Sequence, residues 1–182
     1  APSLGFYPYS SVNYALTPPT SIVANGNTIG GEIDASGAGG ITAGYIGGAF
    51  KIVDNLSFGV AAVGLFGKTN SIIETILYTS ESYISINQRN DNFKGSGFKA
   101  GLLYTPLDNF KIGLAMSSYA SLHGTSELRY STLSSSETSS DTTIKQDFST
   151  PMPTSIGVGA SYKSGKFLFA LDGEMQDFSS FN

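Results

Sequence analysis

Few side chains in this 182-residue chain are suited to covalent chemistry. Asp172 and Glu174 stand two residues apart and so share one face of an extended strand. Paired carboxylates can serve acid/base hydrolysis, but no accompanying motif supplies a nucleophile or a metal, and a polar strand face is the simpler reading. His123 is the single histidine, which rules out an imidazole cluster; it is expected as a rim or lumen side chain at the end of its strand. With no Cys, thiolate metal sites, cysteine nucleophiles and disulfides are all excluded. Lys99, Lys111 and Tyr119 fall on strand faces otherwise made of small residues. Pairing of the two lysines with Asp172 or Glu174 is preferred to capture of a carboxylate substrate. The stretches "GAGG" and "GSG" do not follow a strand and open a helix, so they fail the phosphate-loop context. Glycines in strands mark kinks or bulges, and the candidates are Gly44, Gly47, Gly48, Gly64 and Gly67. No catalytic residue, metal or cofactor is expected, and the chain is not expected to be an enzyme.

The elements that must carry these residues are strands, because alternation of period two recurs along the chain while helical spacing with caps does not. From Phe6 to Leu16, the residues Phe6, Val12, Tyr14 and Leu16 share a parity; "TPPTSIVANGNT" then reads as a loop by its Pro and Asn-Gly content. Ile41 to Ile52 turns at Asp54 and Asn55 into Leu56 to Phe66. The segment from Lys68 to Asn92 is polar but contains "SIIETILY" and "SYISINQ", and is either strand extension or structured loop. Phe98 to Tyr104 leads through "TPLDN" into a strand from Phe110 to Leu122 with Phe110, Ile112, Leu114, Met116, Ala120 and Leu122 on one face. The Ser/Thr-rich "YSTLSSSETSSDTT" reads as a mobile loop. Ile156 to Tyr162 and Phe167 to Met175 flank "KSGK" as the last pair. About eight strands are expected, with short turns near Asp54, Asp108 and Ser164 at one end and long polar segments at the other.

Composition decides what surrounds these strands. Only 13% of residues are charged, with 22 Gly, 10 Tyr and 12 Phe, whereas roughly a quarter are charged in an average soluble domain. A soluble sandwich would turn a charged face to water, yet the faces alternating with the large apolar residues are mostly Gly, Ala and Ser. That arrangement suits an antiparallel transmembrane β-barrel, with large apolar residues toward lipid and small or polar ones toward a lumen. Lys99, Lys111, Tyr119, Asp172 and Glu174 are then lumen candidates for contact with substrate. No apolar run approaches the roughly 20 residues of a membrane helix, and the ten Lys and Arg form no basic stripe for nucleic acid. The opening "APSLGFYPYS" has no basic region followed by an apolar run, so no leader is expected within it.

Three segments taken in order, "GGAFKIVDNLSFGVAAVGLFGK", "GSGFKAGLLYTPLDNFKIGLAMSSYASLHGTSEL" and "TPMPTSIGVGASYKSGKFLFALDGEMQDFSSF", resemble the FadL-type family of outer-membrane transporters for long-chain fatty acids and other hydrophobic compounds. The resemblance covers Gly39 to Phe181 and rests on Phe66-Gly67, on Gly97 to Tyr104 with Gly113-Leu114 and Gly124, on Pro153 to Val158, and on Asp177 to Phe181. It implies a lumen plugged by an N-terminal hatch, further C-terminal strands, and a kinked strand that opens a lateral route into the bilayer. Residues 1–182 would then form one segment from the middle of a larger barrel.

The expected function is passive uptake of a hydrophobic molecule such as a long-chain fatty acid across the bacterial outer membrane. Its partners would be membrane lipids and the ligand itself. The alternatives are a FadL-like barrel that docks with other envelope proteins, a small structural outer-membrane barrel of eight strands, and a soluble β-sandwich with carbohydrate or hydrolase function.

Overall fold

In a computed structural model, residues 1–79, 83–134 and 140–179 are described. They form one antiparallel sheet of ten strands: β1 Pro2–Leu16, β2 Pro19–Ala24, β3 Asn27–Val53, β4 Leu56–Leu77, β5 Tyr83–Leu107, β6 Phe110–Tyr119, β7 Leu122–Ser134, β8 Ser140–Thr150, β9 Thr154–Ser164 and β10 Phe167–Asp177. Three breaks conceal a simpler order. β1 and β2 lie end to end along β3, β6 and β7 lie end to end along β5, and β8 and β9 continue one line against β7 and β6. The ten strands thus make seven runs in an up-and-down meander, and the sheet curls without β10 returning to β1.

The turns at 54–55, 108–109 and 165–166 lie together at one end, where sequence spacing put them. At the other end the expected loops are mostly strand. Asn25 and Gly26 take φ of 51° and 79°, the left-handed pair that closes a two-residue hairpin, so "TPPTSIVANGNT" folds as β2, turn and the start of β3. The ambiguous segment after Lys68 is strand extension, with Leu77 paired to Tyr83 and both ladders continuous below. In "YSTLSSSETSSDTT", residues 130–134 and 140–143 are also strand; its centre, 135–139, and the end of Asp177 to Phe181, 180–181, lie outside the described residues. Polar composition misleads here because a two-sided polar strand is stable once its neighbours already fix its backbone partners. With a rise of about 3.3 Å per residue, β3 extends roughly 90 Å, several times the depth of a lipid bilayer's apolar core.

One register detail corrects the sequence reading of β1. Pro8 pairs with Thr42 but Ser10 pairs with Ile41, so Tyr9 is an extra residue. A bulge of one residue flips every later side chain to the other face. Phe6 therefore faces outward while Val12, Tyr14 and Leu16 face inward, and the Tyr14 hydroxyl meets Ser71 Oγ at 2.9 Å on the inner side.

Candidate functional site

The two faces of the curled sheet differ in kind. On the convex face, successive rows run Phe110–Tyr162–Phe169 near the turns, then Phe50–Phe58–Leu102–Leu114–Val158, and Leu4–Ile46–Ala62–Phe98–Ser118 higher up. No outward residue between the first and last of these rows is charged. Its large side chains lie open, Leu171 being 80% exposed and Phe6 73%. The strands confined to this band, β6, β9 and β10, have 10, 11 and 11 residues, matching the 9–11 of a tilted membrane-crossing strand.

The concave face holds what core there is: Ala43, Val63, Leu65 and Leu122 are buried, with Ile41, Phe93 and Met152 packed against them. Tyrosines join this cluster. The Tyr7 and Tyr45 rings stand 6.2 Å apart, and Tyr9 meets Tyr119 edge to face at 5.7 Å. The second contact joins β1 to β6, which three other strands separate in the sheet, so the curl closes far enough for side chains to span the concavity. Lys99 Nζ sits 4.8 Å from the centroid of the Tyr7 ring, a geometry that draws a cation to the ring quadrupole. Gly97 makes room for the arrangement, since a Cβ there would come within 2.4 Å of the Tyr119 ring.

All five inward candidates lie on the concave face, but not in one place. Lys99 and Tyr119 enter the tyrosine cluster. Lys111 pairs with Ser161 near the turns, while Asp172 and Glu174 border a shallow hollow of about 300 Å³ floored by Gly113, Ala115, Gly157 and Gly159. The expected pairing of lysines with these acids is absent. Among the described residues the ion pairs are Arg89–Asp91, Arg129–Asp141 and Lys145–Glu127, all in the long arms; β6 and β9 separate Lys99 on β5 from β10, and Lys111 on β6, with only β9 between it and β10, makes no ion pair with either acid. The glycine candidates carry no bulge, but two of them stand where backbone comes close: a Cβ at Gly67 would fall 2.1 Å from the Gly40 carbonyl oxygen and one at Gly47 2.6 Å from that of Val60. The β3–β4 ladder runs unbroken from Gly31–Leu77 to Lys51–Ser57, straight past Gly44, Gly47, Gly48, Gly64 and Gly67. The distorted backbone is at Gly39 and Gly40, with φ of 124° and 154°; a Cβ at Gly39 would fall 2.1 Å from the Lys68 carbonyl oxygen. Gly44 instead accepts the Phe6 ring lying over it.

Sequence reasoning missed Tyr7, Tyr9, Tyr45 and Met152, and it set Leu122 on the outward face with Phe110 and Met116, whereas the interruption at 120–121 turns Leu122 inward, where it is buried. Tyr7 and Tyr9 share a parity visible in the sequence, but which strands face them across a curl is not a property of alternation. His123 stands at the start of β7, exposed on the convex side opposite Lys94.

A family model for BamG matches residues 1–182, and the chain belongs to the BamG family. No curated protein and no solved structure matches it. The FadL-type resemblance is thereby overturned. Its segments consist of Asp-Asn turns, alternating apolar residues, and Gly or Phe at strand ends. The pleat and the hairpin turn impose these on strands of any barrel, so they specify architecture and carry no information about cargo.

Proposed function

From membership of the BamG family we propose that this protein is an outer-membrane barrel component that associates with the BAM complex, with a docking role and no catalytic step. The observation that carries the reading is the family match over residues 1–182. Two geometric features support it. An uncharged convex band of about one membrane crossing suits a lipid-facing wall, and short turns gathered at one end are what an outer-membrane barrel turns toward the periplasm. The concave face at the top of the band is filled by Tyr7, Tyr9, Tyr45, Tyr119 and Leu122, which suits a wall better than a conduit for a fatty acid.

The test is co-purification. Tagged protein solubilised from outer membranes in mild detergent should carry BAM components with it in fixed proportion after gel filtration. Recovery of the protein alone, together with loss of labelled fatty-acid uptake in a deletion strain, would reverse the reading.

A further inference from the structure

The charges nearest the top of the apolar band follow a pattern that docking does not require. Ascending the convex face past Phe98, the first cations are Lys94 on β5 and Lys68 on β4, with His123 on β7 in the same row as Lys94; the acids at this level stand on other strands, Asp177 on β10 in the row of Phe98 and Asp147 on β8 in the row of Lys68. Phe66 pairs with Lys94 and Lys68 with Asn92, so the two lysines are diagonal neighbours on adjacent strands, roughly 7–8 Å apart at the backbone. His123 stands directly opposite Lys94. All three are exposed.

The cations of the long arms provide the contrast. Arg89, Arg129 and Lys145 each have a carboxylate partner, at 2.9 Å for Arg89–Asp91 and 3.0 Å for Lys145–Glu127. Lys68 and Lys94 have none among the described residues. The acids near them are otherwise engaged: Asp91 projects to the concave face and binds Arg89 and Thr69, and Asp147, on the convex face two strands from Lys94, accepts from Thr125 Oγ1 at 2.9 Å. An exposed lysine can simply be hydrated, but two unpaired ones placed at the level where an apolar wall meets water lie where lipid headgroups sit.

We propose that Lys68 and Lys94, with His123 beside them, bind the phosphate of an anionic glycolipid headgroup in the outer leaflet. The inference rests on the lipid-facing reading of the convex band and on the turns marking the periplasmic end. Acyl chains would lie along Phe6 and Phe98 beneath the lysines, with Phe66 beside Lys94. Two ammonium groups on neighbouring strands can each donate to one phosphate, fixing the sheet at a definite depth without contact to any partner protein.

The full chain is reconstituted into phosphatidylcholine vesicles containing equal amounts of bisphosphorylated and dephosphorylated lipid A, and the lipid retained on extraction is read by native mass spectrometry. Enrichment of the phosphorylated form by about tenfold is expected, the scale of one charge-assisted hydrogen bond or two. Lys68→Gln/Lys94→Gln should bring the ratio to about one, while Lys68→Arg/Lys94→Arg and the arm variant Lys145→Gln should keep it; heat-modifiable gel migration checks that each is folded. No enrichment by the unaltered chain, or enrichment that survives the double Gln variant, overturns the proposal. Loss of enrichment on adding millimolar inorganic phosphate also overturns it, because the site would then select a free anion. A chain that stays out of the vesicles overturns the membrane reading itself, whereas one that inserts without phosphate preference overturns only this inference.

Discussion

At the scale of single residues, the concave cluster is held by aromatic contacts between strands far apart in the sheet. Edge-to-face pairs contribute about 0.5–1.5 kcal/mol beyond their buried area, so a double-mutant cycle of Tyr9→Ala and Tyr119→Ala should show a coupling of about that size, read from denaturant titrations of the refolded protein. A coupling near zero would mean that the curl does not depend on this pair. In the long arms, the Arg129 guanidinium hydrogen-bonds Asp141 and holds its carboxyl below the usual carboxylate range. A depressed native pKa gives stability that is present above the unfolded value of about 3.9 and is lost as pH falls through the lower native one. Carboxyl-carbon NMR should therefore find Asp141 titrating below that value, and Arg129→Gln should return it toward the ordinary range. Both groups are open to solvent, so added salt should shrink the difference.

At the scale of elements, the seven runs differ in where their ladders break. The Tyr9 bulge, the Gly39–Gly40 pair and the interruptions at 120–121 and 151–153 all lie within a few rows of Phe66, and the remaining shifts, at Lys51/Val53 and Tyr104/Leu107, lie beside the turns, with the ladders continuous between the two levels. Lipid leaves no water to satisfy a free amide, so irregular backbone is tolerated only beyond the apolar core, and rims are where barrels carry bulges. The two faces of one strand should then respond oppositely to charge. Leu114→Lys, on the convex face near the middle of β6, should cost about 2–4 kcal/mol in folding into vesicles, and Ser161→Lys on the concave face of β9 should cost much less. Equal costs would remove the lipid-facing assignment. Alternation made these faces legible in β4, β5, β6, β9 and β10, where Phe110, Ile112, Leu114 and Met116 recur without interruption. It failed in β1, because a single extra residue at Tyr9 reverses the parity and nothing in the local sequence marks where pairing slips.

At the scale of the whole molecule, β1 and β10 are the two edges of the sheet, and seven antiparallel runs leave them pointing the same way. Direct closure of β10 on β1 would be parallel; an antiparallel closure takes an odd number of additional strands. Open edges do not survive in lipid, so the exposed edge of β10 is where pairing to another strand is expected. Single cysteines placed along its concave positions, away from lipid, for example Ala170→Cys, should be protected from a water-soluble thiol reagent in native membranes and reactive in the detergent-solubilised isolated chain. Equal labelling in both would show that the edge stays free.

The sequence by itself determined the fold class, the three short turns and the uncharged apolar band, because each depends on local spacing: a pleat of period two, an Asp-Asn or Ser-Gly turn, and the exclusion of charge from one face. Only the tertiary structure decided that the polar segments are strands, that Lys99 meets Tyr7 instead of Asp172, and that Tyr9 reaches Tyr119. Those outcomes depend on register and curvature, which sum small twists over many strands and leave no mark within any one of them. The short quoted segments likewise fixed a barrel and not its family. Turns and alternation record the solvent on each face, whereas what distinguishes a docking wall from a conduit is whether the concave side is filled.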